Sequence, residues 1–138
     1  MQAEVISAMN ALGSAILILT ALWHGLATWH FGFHPARTLA VTTSERPVSP
    51  IAMELFRFLA GLNLALVALA LLSLTQPPGA RLVAFAVLAL ANATQLLLDA
   101  RVRRLGLAHG ALFAQILAGD AVFTAANGAA AMIVLATA

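Results

Sequence analysis

The chain contains no cysteine, no lysine and no tyrosine. Without cysteine there are no disulfides, no thiolate metal centres and no thiol catalysis. Without lysine, the seven basic residues are all arginines. They are scattered rather than gathered into the basic stripe that nucleic acid requires, so no nucleic-acid partner is expected. Charge is scarce as well: 9% of the 138 residues are charged, 62% are hydrophobic and the mean hydropathy is +0.98. A soluble domain of this length keeps too much surface in water to hide so many apolar side chains. The lipid bilayer is therefore the expected surrounding.

A bilayer core needs about 20 apolar residues per helix. Four stretches meet that requirement, roughly residues 5–30, 50–75, 80–100 and 111–137. No proline interrupts any of them after its first residue. The reading is an all-α integral membrane four-helix bundle with short loops, one transmembrane domain over residues 1–138. The first run is preceded by no lysine or arginine and continues through Trp23 without a cleavage-type stop. It is read as a retained helix, not a signal peptide.

The punctuation fits that layout. The first loop, residues 31–49, holds Gly32, Pro35 and Pro47, and Ser49-Pro50 reads as an N-cap followed by proline at the first helical position. The second loop is a Gln76-Pro77-Pro78-Gly79 turn, and the third, residues 101–110, contains Gly106 and Gly110. Arg37, Arg46, Arg101, Arg103 and Arg104 fall in the first and third loops, against Arg81 alone on the other side. The positive-inside rule then puts these two loops in the cytoplasm and both ends of the chain on the non-cytoplasmic side. Trp23 and Trp29 suit an interfacial aromatic belt. Ala121, Ala125 and Ala129 form a small-residue face through which a homodimer or a larger complex is expected. The Asn92-Ala93-Thr94 triplet matches a glycosylation pattern but lies within a helix.

Against this apolar background the polar residues stand out. Ionisable groups inside a membrane helix need a partner or a role. Residues three, four and seven apart share a helix face. By that rule Asn10, Ser14, His24 and Thr28 share a stripe on the first span, Glu54, Arg57 and Gly61 on the second, Asn92, Gln95, Asp99 and Arg103 on the third, and Asp120, Thr124 and Asn127 on the fourth. If all four stripes face inward they build one polar pocket open toward the cytoplasm. Its candidate ligand-binding residues are His24, Glu54, Arg57, Asn92, Gln95, Asp99 and Asp120. Asn63 falls opposite Arg57 and is left out. Plainer roles compete: Glu54 at a helix start with Arg57 beside it, Arg57 snorkelling, and Asp99–Arg103 as a solvated pair. Asp120 is expected to be paired with Arg57, hydrogen-bonded or protonated. His30 and His34 have the spacing of a metal pair, but Gly32 and Pro35 interrupt them and no metal site is assigned. A haem or chlorophyll-type pigment would have to be held axially through His24.

The apolar first helix, the Phe33-His34-Pro35 loop and the run Glu54-Leu55-Phe56-Arg57-Phe58-Leu59-Ala60-Gly61 resemble the DoxX-like group of small four-helix bacterial membrane proteins. In that group the second helix often starts with an acid and an arginine followed by a small residue. The resemblance covers the four-helix layout and this run. It departs at Ala60, where a second glycine is typical, and matches no motif in the third or fourth span. It implies a bundle in the cytoplasmic membrane, linked to redox or quinone-associated systems, and carries over Glu54, Arg57 and Gly61.

Three functions compete. The first is a non-enzymatic accessory subunit or binder of a hydrophobic, quinone- or lipid-like ligand in the polar pocket, in the bacterial inner membrane. The second is a membrane-embedded enzyme with Asp120, Glu54 and His24 as acid–base groups. The third is a proton- or cation-coupled transporter built on Asp120.

Overall fold

The structure, a computed structural model, describes residues 2–44 and 46–137. Among these the chain forms five α-helices: α1 (Gln2–Phe33), α2 (Pro35–Thr42), α3 (Pro50–Leu74), α4 (Leu82–Arg104) and α5 (Gly110–Thr137). A short 3₁₀ turn, Pro78–Arg81, leads into α4. Four of the five are long and apolar enough to cross a membrane. The fifth, α2, is a correction: it occupies residues expected to be loop. Gly32 does not end α1, which runs to Phe33, and Pro35 opens a new helix at its first position with His34 as the N-cap residue. Proline is tolerated there because its missing N–H would have no helical partner anyway.

The other ends follow local chemistry. Pro50 starts α3 behind an extended Ser49, whose hydroxyl makes no capping bond. Helix α4 ends in a Schellman arrangement. Gly106 takes φ +69°, its N–H donates to Arg103 O at 3.0 Å, and Leu107 N–H donates to Val102 O at 3.1 Å. The following turn is tied to α2, since His109 N–H donates to Thr42 O at 2.8 Å. Gly110 is required at the start of α5: its φ is +90°, and a Cβ there would stand 2.9 Å from Val41 O.

Helix α1 lies along α3, and α4 lies along α5; α1 also meets α5. One end of the bundle carries α2 and the arginines Arg37, Arg46, Arg57, Arg101, Arg103 and Arg104, and is called the arginine-rich end below. At the other end Arg81 pins the α3–α4 turn to α1. Its guanidinium donates to Ser14 Oγ at 2.8 Å, Leu74 O at 3.1 Å and Gln76 O at 3.0 Å. Between the ends lies an apolar layer of Leu17, Ala21, Ala70, Phe85, Leu88 and Ala130. Phe85 reaches Gly13 of α1 across the bundle. Most large apolar side chains instead point outward, among them Leu22, Leu62, Leu72, Leu90 and Leu97. Such an outward-facing apolar surface is what a lipid-facing bundle presents.

Candidate functional site

The interior between the apolar layer and the arginine-rich end is polar, and α1 is its hub. Trp23 and His24 are neighbours in sequence and therefore point about 100° apart around the helix. One reaches α5 and the other reaches α3 and α4.

His24 is buried between two amides. Its Nδ1 lies 2.7 Å from Asn63 Oδ1, and its Nε2 lies 3.4 Å from Asn92 Nδ2. Asn63 Nδ2 donates to Leu59 O at 2.9 Å, so its Oδ1 is the atom left to accept from the ring. Asn92 Nδ2 also donates to Leu88 O at 2.8 Å. A single tautomer satisfies both sides: Nδ1–H donates to Asn63 and Nε2 accepts from Asn92. Both ring nitrogens are thereby engaged. An axial haem or pigment at His24 would have to displace one of these amide contacts, because that bond needs a free ring nitrogen.

Trp23 Nε1–H donates to Asp120 Oδ1 at 3.1 Å, and the indole stacks on Phe123 with centroids 5.6 Å apart. Trp23 is thus an interior partner and not part of an interfacial belt; Trp29, at 53% exposure, faces outward. The indole can lie against α5 because residue 119 is glycine: a Cβ there would sit within 2.8 Å of Trp23 Cε2. Gln95 Nε2–H donates to Asp99 Oδ1 at 2.9 Å. Asp99 on α4 and Asp120 on α5 are close enough for their charges to act on one another. With both Oδ1 atoms taken, Oδ2 of each remains, buried and without a donor among the described residues. Asp99 is 8% exposed and Asp120 is 3% exposed. Farther in, Asn127 Nδ2 donates to Thr20 Oγ1 at 3.0 Å, and Oδ1 of Asn92 and of Asn127 are likewise buried without donors. Each buried unsatisfied polar atom costs about 1–3 kcal/mol, and a carboxylate oxygen more. The carboxyl pair is therefore the costliest arrangement in this interior.

The structure joins the expected residues in two groups: His24 with Asn92, and Gln95 with Asp99, near which Asp120 lies. It does not bring Glu54 and Arg57 to them. Those two form an ion pair with each other, 67% and 51% exposed, on the outer face of α3, where Gly61 is exposed as well. Of the alternatives expected for Asp120, it is the hydrogen bond that is seen, from Trp23, while Arg57 pairs with Glu54, and Glu54 lies on the exposed face, away from the buried Asp120 and His24. Nor does Asp99 form a solvated pair with Arg103: it turns inward while Arg103 is exposed. Asn63, excluded on the sequence, is the first partner of His24. All these changes on α3 have one cause. Apolar residues surround that helix on every side, so no stripe fixed its rotation, and the face carrying Asn63 is the one turned inward.

His30 and His34 do lie beside one cavity, but among the described residues no group of three metal-type ligands forms. Ala121, Ala125 and Ala129 are all exposed along α5. No family model, no curated protein and no solved structure matches this chain.

Proposed function

We propose that this protein is a multi-pass protein of the bacterial cytoplasmic membrane whose buried Asp99–Asp120 pair binds a proton or a small monovalent cation. The arginine-rich end faces the cytoplasm by the positive-inside rule, and the ends of the chain lie on the other side. The observation that carries the reading is two buried carboxyl groups on the adjoining helices α4 and α5, each with one oxygen lacking a donor among the described residues. Two such groups brought together away from water need positive charge between them, and a proton or a dehydrated cation supplies it. Asp99 lies five residues from the end of α4, so access runs from the arginine-rich side. The apolar layer around Leu17, Phe85 and Leu88 closes the opposite direction. Binding therefore precedes any passage across the membrane, and passage requires that layer to open.

A quinone- or lipid-like head at this network is less well supported. The arginine that would hold it faces outward, and the polar side chains of the interior are spent largely on one another. An enzyme reading lacks its assembled acid–base set for the same reason.

Infrared difference spectroscopy on the protein in lipid nanodiscs tests the proposal. A proton on the pair gives a buried carboxylic-acid stretch that Asp99→Asn or Asp120→Asn abolishes. A bound cation instead shifts the carboxylate bands on exchange of sodium or potassium. Carboxylate bands that follow bulk pH and ignore cations would sink the proposal.

A further inference from the structure

A second site lies at the α1–α2 corner, apart from the carboxyl pair and independent of it. A cavity of about 280 Å³ is lined there by Trp29, His30, His34, Arg37, Val41 and Leu112, with Thr38 at its base. We propose that this cavity binds a phosphate-bearing anion, specifically the headgroup of an anionic phospholipid.

The lining argues for that chemistry. Arg37, the two histidines and the Trp29 indole bring the donors with free hydrogen-bonding capacity, and among the described residues no carboxylate lines the cavity. Thr38 is spent: its hydroxyl lies 3.1 Å from His30 O and 3.0 Å from His34 O, fixing the corner. Arg37 carries a permanent charge on a planar fork that matches two phosphate oxygens. Each imidazole has an N–H to donate even when neutral. Trp29 holds His34 in place by an edge contact with centroids 5.4 Å apart. The remaining wall, Val41 and Leu112, is apolar and suits the start of an acyl chain.

Position and size point the same way. The cavity lies where α1 ends, which is a membrane–water boundary whichever way the bundle is oriented. Basic pockets beside membrane helices are where anionic headgroups dock. Drug-sized ligands fill about 300–1,000 Å³, so the volume takes a headgroup and leaves the acyl chains outside, along the exposed apolar surface. A metal ion is disfavoured by the adjacent guanidinium, and a neutral quinone head would leave that charge unanswered.

The test is native mass spectrometry of the whole protein in detergent, titrated in turn with phosphatidylglycerol, phosphatidylcholine and inorganic phosphate. The expected result is selective retention of phosphatidylglycerol, weakened about tenfold by R37Q, a change of about 1.4 kcal/mol, and partly restored by R37K. The H30Q/H34Q double variant weakens it further. R104Q, which removes an exposed arginine outside the cavity, leaves retention unchanged. Arg37 is exposed, so R37Q leaves the core intact, and unaltered tryptophan emission confirms folding. Equal retention of the two lipids, or indifference to R37Q, overturns the proposal. Arg37-dependent binding of inorganic phosphate without lipid selectivity overturns the lipid source and leaves a free-phosphate site.

Discussion

Gly119→Ala is the most informative single change, because it adds one methyl group where the interior has no room for it. The new Cβ would sit within 2.8 Å of Trp23 Cε2 and closer still to the outer ring carbons, nearer than real Cβ atoms come. The backbone of α5 is held by its helical bonds, so the indole has to move. Moving it breaks the 3.1 Å bond to Asp120 and the stack on Phe123. Overpacking costs about 1–3 kcal/mol. Losing a hydrogen bond to a charged acceptor costs about 1.5–3 kcal/mol. Alanine recovers about 1 kcal/mol as the better helix former. The expected net destabilisation is about 1.5–5 kcal/mol. It is measured by unfolding in mixed micelles at increasing SDS, in a Trp29→Phe background where Trp23 is the sole tryptophan reporter. Emission from Trp23 should change together with stability. Because the clash needs the indole, Gly119→Ala should cost little once Trp23→Leu is present, and the two changes, compared by far-ultraviolet circular dichroism because Trp23→Leu removes the fluorescent reporter, should be strongly non-additive. A Gly119→Ala protein with unchanged Trp23 emission and stability within about 0.5 kcal/mol of the parent would refute the packing argument.

Two further outcomes follow from the geometry. Arg81→Leu removes three hydrogen bonds joining α1, the α3–α4 turn and the end of α3, and should cost about 1.5–3 kcal/mol in the same unfolding assay; no loss would mean the turn is held by packing alone. The double change Glu54→Gln, Arg57→Gln removes an exposed ion pair on the outer face of α3, and should alter stability by less than about 1 kcal/mol while leaving the Asp99–Asp120 infrared bands unmoved. A change in those bands would place Arg57 back in the site.

Much of the architecture was legible before any coordinates. The four spans, the proline-led start of α3 and the Gln76–Gly79 turn are local matters, each decided by a few consecutive residues; the third span was expected to end near residue 100 and runs on to Arg104, just before Gly106. Helix α2 was less legible, since Gly32 and Pro35 read as breakers when one of them in fact opens a helix. Trp23 and Gly119 gave no sequence signal as a pair. They lie 96 residues apart, and their fit depends on how closely α1 and α5 approach.

What the sequence by itself determined, then, is the number of membrane-length helices, their approximate ends and the asymmetry of arginine between the two sides. Those follow from hydropathy summed over a span and from backbone preferences at its edges, and neither requires knowing a neighbour. Only the tertiary structure decided which face of each helix turns inward. Arg57 and Asn63 are both on α3, on different faces, and a rotation of that helix exchanges them. In a soluble helix the apolar stripe would choose the rotation; here apolar residues surround the helix, and contacts such as His24 with Asn63 make the choice instead.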